Sequence, residues 1–358
     1  MKILTITLHS TNNAGSSLQA YALQNFLLKN GFETELIDYR PNYVKYDGNK
    51  YKTIMKRILY YKQYNQMLEK NREFIKKYLK LHKSRYSRYE QLVNDPPCAD
   101  IYITGSDQLW NGDFDCGKDK AYYLGFVNNG IKMAYAVSLG KDNVSQQEIN
   151  WIVDNVKDFD FISVREYTSK EILEKNGIKN VEYVCDPVLL LDKEEYLNIQ
   201  SKPNRNKYIA VYMVEKSDIL DNLLQHLKIK YDCETIHIGA FVNRSKSDNL
   251  IRGMSPTEFI GLLANAEFIV ASSFHATVFS HIFEKNFAII PPRKNFTRIE
   301  QFLELTGLKN RIIRNIGDIK RATMDIDYNE VKKKLVPFVN NSKKIILDKL
   351  MLYTDKQK

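Results

Sequence analysis

The chain has 358 residues, 44% of them hydrophobic, which is enough for two buried cores at about 100–200 residues per domain. Fifteen glycines and nine prolines exclude a fibre or a disordered chain. The formal net charge is +10, and the four cysteines (Cys98, Cys116, Cys185, Cys233) lie far apart with no C-x-x-C pair. That spacing argues against a disulfide framework or a zinc site and suits a reducing cytosol.

The opening MKILTITLHS carries one lysine and a short apolar run, which reads as a first strand rather than a signal peptide. No run approaches the ~20 apolar residues of a membrane span. HSTNNAGSS is then a loop, LQAYALQNFLLKN an amphipathic helix closed by Gly31, and FETELIDY a second strand. This is one βαβ unit and implies a parallel sheet.

From Lys45 to Arg85 there are thirteen Lys/Arg against three Asp/Glu, interleaved with tyrosines. Such a segment suits RNA, an anionic membrane surface or an acidic glycan, or is simply a solvated helical pair. Ile54, Ile58 and Tyr61, with Met55 and Leu59, recur at helical spacing, so a helical basic insert is predicted over about 45–90.

ADIYITGSDQLWN follows as a strand (Ile101–Thr104) and turn, then come the strand KMAYAVSLG and a helix near Gln146–Lys157. DFISVRE is a strand ending in Arg165, TSKEILEKNG a helix capped by Gly177, and VEYVCDP a short strand stopped by Pro187. The polar stretch 192–206 reads as a linker. Alternation restarts with YIAVYMV, a helix over Ile219–Lys230, ETIHIGA, a helix over Pro256–Ala264, EFIVAS, a helix over Phe274–Phe283, and FAIIPP. From Tyr328 the pattern is helical. The expectation is α/β: two doubly wound Rossmann-like domains facing a cleft, at 1–191 and 207–325, with a helical tail at 326–358. Ligands are expected at the carboxyl ends of the strands.

Several of those ends carry polar groups. Asn13, Gly15 and Ser16 precede a helix whose free N–H groups suit phosphate or carboxylate, although Ser16 or Ser17 could be only its N-cap. Gly105 lets the chain turn, and Ser106, Asp107, Gln108 and Asn111 beside Trp110 form a set suited to sugar, or a turn stapled by Asp107. Arg165 at a strand end can clamp an anion, or pair with Glu166 or a later acid. Asp186-Pro187 reads as a rigid turn. His275 stands in the first turn of a helix directly after a strand, among Ser272, Ser273 and Thr277. There it can hold an anion or deliver a proton, whereas His281 falls on another face and reads as structural. There is no Walker A loop, H-E-x-x-H, G-x-S-x-G or G-x-G-x-x-G, and neither metal nor cofactor is expected.

The segments NNAGSSLQAYALQNFL, GFETELIDYRP, ADIYITGSDQLWN, AYAVSLG, FISVREYTSKEIL, CDPVLLL and AEFIVASSFHATVFSHIF, in this order, resemble the polysaccharide pyruvyl transferase family over about 1–45 and 98–310. The resemblance implies a GT-B-like fold. It also implies transfer of the pyruvate unit of phosphoenolpyruvate to two hydroxyls of a sugar, giving a cyclic ketal and phosphate. It assigns Arg165 to anion binding, and His275 to contact with phosphoenolpyruvate and to the role of general acid. Many members have an arginine two residues before that histidine, where this chain has Ser273. Either Arg293, Lys294 or Arg298 replaces that arginine, or the donor differs.

The first reading is therefore a cytoplasmic pyruvyl transferase acting on a cell-surface polysaccharide or its lipid-linked precursor. Residues 45–85 would rest on anionic lipid at the inner membrane face, and no nucleic acid is expected as partner. The alternatives are a GT-B glycosyltransferase using a sugar nucleotide and a non-catalytic glycan- or RNA-binding protein.

Overall fold

The computed structural model describes residues 1–11, 13–45, 54–55, 58–239 and 245–355. Within them the chain forms two parallel sheets. The first has seven strands: β1 (Lys2–Ile6), β2 (Glu33–Tyr39), β3 (Leu81–Tyr86), β4 (Ile101–Thr104), β5 (Ile131–Val137), β6 (Phe161–Val164) and β7 (Glu182–Tyr183), in the order β3-β2-β1-β4-β5-β6-β7. The second has five: β8 (Tyr208–Tyr212), β9 (Glu234–Ile238), β10 (Asn249–Ile251), β11 (Phe268–Ala271) and β12 (Asn286–Ile289), in the order β10-β9-β8-β11-β12.

The apolar runs IYIT, FISV and FIVA are buried at every position of β4, β6 and β11, as expected of parallel strands covered on both faces. Strand order reverses between β1 and β4, and again between β8 and β11. These are the switch points where such sheets open a crevice at their carboxyl ends. Helix starts are fixed locally: Asn13 accepts from the Gly15 N–H, and Ser145 and Ser255 form capping boxes with Glu148 and Glu258.

The two sheets share one apolar core. Tyr196 is fully buried between Tyr21 of the Ala14–Lys29 helix and Phe279 of the Phe274–Ile282 helix, with its ring centroid 5.0 Å from that of Phe279. The 28-residue helix Tyr328–Asp355, about 40 Å long at 1.5 Å per residue, ties the halves together. At its start the Tyr328 hydroxyl donates to the Lys285 carbonyl. Further along, Ser342 Oγ accepts from the Cys185 N–H, and at the end the Tyr353 hydroxyl donates to the Asp160 carbonyl beside β6.

Two expectations need correcting. The insert over 45–90 is not purely helical: after the helix Tyr61–Tyr78 it supplies β3, which pairs with β2 as the edge strand of the first sheet. Residues 46–53 and 56–57 of the insert lie outside the described residues. The stretch 192–206 contains the helix Lys193–Ile199, started by a capping box between Asp192 and Glu195, and so is not a plain linker. The insert's own helix is no isolated solvated element, because Met67, Phe74 and Ile75 are buried and Lys70 pairs with Glu258 of the second half.

Candidate active site

Five strand ends deliver polar groups to one place. β6 ends at Val164, and the next side chain, Arg165, is fully buried in a cage of acids. Its Nη1 donates to Asp186 Oδ2 at 2.7 Å and to Ser106 Oγ at 3.1 Å, and its Nε donates to Glu166 Oε1 at 3.1 Å. Glu166 also accepts from the hydroxyls of Ser138 and Ser169, and Asp186 from the Val188 N–H. Burying ions costs several kcal/mol each, so such density of partners is what makes the cage tenable. Burial works against the charged guanidinium, but Asp186, Glu166 and Asp107 outweigh it and raise its pKa.

Asp107 is held in a strained backbone conformation, with φ of 91°, at a cost of about 1–3 kcal/mol. Its carboxylate accepts from the Gln108 N–H and from the Ser16 hydroxyl, and Oδ1 lies 3.7 Å from Arg165 Nη2. Burial disfavours the charged carboxyl, yet Arg165, His275 and these hydrogen bonds still lower its pKa.

The second sheet contributes His275, which is 5% exposed in the first turn of the helix after β11. Its Nε2 stands 3.8 Å from Asp186 Oδ2. Burial lowers its pKa, partly opposed by Asp186. The start of the Ala14–Lys29 helix meets it across the domain boundary: a Cβ on Gly15 would fall 2.2 Å from His275 Nδ1, so only glycine allows the approach. Among the described residues, Arg165 Nη2, His275 Nε2 and Arg298 Nε are buried without a hydrogen-bond partner. Unsatisfied buried polar groups are costly, and these three surround the ring of Phe274. The Arg165 and Arg298 guanidinium carbons lie 4.7 and 5.8 Å from its centroid, and its centroid is 5.6 Å from that of the His275 ring.

The structure thus brings Gly15, Ser16, Ser106, Asp107, Arg165 and His275 together. Asn13 caps the adjoining helix, and a Cβ on Gly105 would fall 3.2 Å from Thr7 Cβ, so the turn packs closely there. Ser273 occupies the N-cap position of the His275 helix without a side-chain capping bond. Other expected contacts are spent elsewhere. Trp110, expected to face sugar, is buried in the first core, stacked on Tyr123 at 5.5 Å and donating to the Tyr122 carbonyl. The Thr277 hydroxyl donates to the Ser273 carbonyl inside its own helix, and that of Ser272 accepts from the Val214 N–H. Gln108 accepts from the Asn111 amide. His281 is a core residue bonded to the Thr277 carbonyl and to Thr306, its pKa lowered by burial to about 4.

Sequence reasoning missed Asp186, which is no mere turn but joins Arg165, Ser106 and His275. Its position at a strand end before proline was the available signal. A cavity of 330 Å³ opens across the β8/β11 switch point, lined among others by Lys216, Ser217, Ser272 and Arg293.

Two parallel α/β halves with polar groups converging from the carboxyl ends of both sheets make a GT-B-type fold. UDP-N-acetylglucosamine 2-epimerase from Rickettsia bellii is similar in structure (TM-score 0.56, 14% identity, 99% of this chain and 97% of that one). So is the enzyme from Neisseria meningitidis bound to UDP-GlcNAc (TM-score 0.56, 11% identity, 98% and 100%). At these identities the likeness concerns the fold. No curated protein matches in sequence. Residues 13–293 match the polysaccharide pyruvyl transferase family, and the chain belongs to that family of transferases.

Proposed function

We propose that this transferase moves the pyruvate unit of phosphoenolpyruvate onto two hydroxyls of a sugar in a cell-surface polysaccharide or its lipid-linked precursor. The observation that carries the reading is the pair of buried nitrogens without a hydrogen bond, Arg165 Nη2 and His275 Nε2, each only at ion-pair distance from a carboxylate, beside the facing starts of two helices. A carboxylate-and-phosphate donor supplies the acceptors these groups lack.

In this reading His275 protonates the donor's methylene carbon while a sugar hydroxyl attacks the adjacent carbon. The bond from that carbon to the bridging phosphate oxygen breaks, phosphate leaves with that oxygen, and the second hydroxyl closes the ketal. One hydroxyl proton replaces that given by His275, and the other leaves with phosphate. Burial disfavours the imidazolium, and an incoming anion favours it, so donor binding itself arms the acid. Asp186, 3.8 Å from His275 Nε2, orients the ring.

A sugar-nucleotide transferase is the second reading, favoured by the 330 Å³ cavity at the β8/β11 switch point. Thermal protection separates the two: phosphoenolpyruvate raises Tm under the first reading, and UDP-GlcNAc alone does so under the second.

The acceptor also bears on location. No helix among the described residues is long and apolar enough to cross a membrane. Ile54, Met55, Ile58, Leu59 and Tyr61, within the basic segment, are exposed, Leu59 by 67%. Exposed apolar side chains among lysines support docking on anionic lipid at the inner membrane face. Flotation with phosphatidylglycerol vesicles at low salt is expected, and loss of flotation in Ile58→Ser/Leu59→Ser tests it. Wild-type protein that ignores such vesicles would remove this part of the reading.

A further inference from the structure

We infer that Arg298 is the second guanidinium clamp on the anionic donor, acting from the opposite half of the molecule to Arg165. The inference rests on the phosphoenolpyruvate reading and adds a residue to it. Arg298 lies in the first turn of the helix Thr297–Leu305, which belongs to the second half but is tied to the first. The Thr297 hydroxyl donates to Asp142, and Gln301 Oε1 accepts from the Tyr167 N–H at 3.0 Å. Arg298 sits between these two cross-links, so its side chain is positioned by both halves.

Its surroundings are those of a ligand-directed cation. The Nε is buried without a hydrogen-bond partner, and the guanidinium stands against the Phe274 ring that Arg165 also contacts. Burial and the neighbouring Arg165 charge bring its pKa down to about 10, which still leaves it a cation at neutral pH. Asp107, Glu166 and Asp186 attract it from a distance, but their hydrogen bonds go to Arg165, Ser16, Ser106 and neighbouring groups. Two like charges near one ring, one lacking a partner at Nε, cost stability unless an anion binds between them. The other two candidates for the arginine that Ser273 replaces do not serve. Arg293 has a 90% exposed side chain beside Glu215, and Lys294 is exposed.

The test measures Tm of the full chain against phosphoenolpyruvate concentration, for wild type, Arg298→Gln, Arg298→Lys and the surface control Lys294→Gln. Arg298→Gln is expected to weaken phosphoenolpyruvate binding by about tenfold to a hundredfold, the worth of a charge-assisted hydrogen bond. Its Tm without ligand should be unchanged or raised, because an unpartnered buried cation is removed. Arg298→Lys keeps the charge but loses the fork and should fall between. Lys294→Gln should bind as wild type does. Equal phosphoenolpyruvate protection of wild type and both Arg298 variants overturns the inference, as does a ligand-free Tm loss in Arg298→Gln with unchanged affinity in Arg298→Lys. If wild type itself gains no protection from phosphoenolpyruvate, the underlying reading fails instead.

Discussion

Around Arg165 two carboxylates and a serine, from Glu166, Asp186 and Ser106, take the hydrogen bonds of Nε and Nη1, whereas a few ångströms away His275 and Arg298 present buried nitrogens with no hydrogen-bond partner. Both regions sit at strand ends, and both concentrate buried polarity. The first holds the ends of β4, β6 and β7 together, so its acids act mainly as scaffold, and Arg165 Nη2 alone among its guanidinium nitrogens is left without a hydrogen bond. The second has left its hydrogen bonds open, at a stability cost, where two helices from different halves meet. The contrast separates residues whose loss should damage the fold from those whose loss should damage turnover.

Removing His275 should have the largest effect on chemistry. His275→Gln is expected to lower phosphate release about 10²–10⁴-fold, the usual weight of a general acid, with stability in urea changed by less than about 1 kcal/mol. Arg165→Gln should add a loss of stability: three acids remain buried without their cation, and urea unfolding should show a loss of about 3–5 kcal/mol. If Arg165→Gln is as stable as wild type, the cage is not a scaffold and the comparison fails.

The smallest effect is on pH dependence. His275 and His281 both have pKa values lowered by burial, so on acidification the unfolded chain takes up their protons first. Stability should therefore fall as pH drops from about 6.5, continuing for His281 down to its folded value of about 4. His281→Asn should flatten that slope by about 1.4 kcal/mol per pH unit in unfolding free energies from urea titrations. An unchanged slope would mean that His281 takes up its proton as readily in the folded as in the unfolded protein. Asp107, with its pKa lowered, adds a further loss only below the ordinary carboxylate range.

The wholly buried strands could be read directly, because FIVA or FISV flanked by turn residues has few other uses. β3 could not: LHKSRY is half exposed at the sheet edge, and its Lys and Arg hide the strand while protecting that edge from other chains. The helix Lys193–Ile199 was masked by its polarity, although the Asp192–Glu195 capping box was present in the sequence. At the site, Arg165 and His275 stood out because each follows a strand directly. Trp110 misled because its neighbours Asp107 and Gln108 face the polar turn while the ring folds back onto Tyr123. The role of Gly15 and the choice of Arg298 over Arg293 depend on contacts between the halves, which no local pattern encodes.

On the proposed reading, the open face around His275 takes phosphoenolpyruvate and passes its pyruvate unit to a sugar. The direct test is phosphate release from phosphoenolpyruvate by the purified protein, with and without glycan acceptors from the same cell. Release that requires both protein and acceptor, and is lost in His275→Gln, is the expected result. No release with any acceptor, in protein that UDP-GlcNAc but not phosphoenolpyruvate protects thermally, would contradict it.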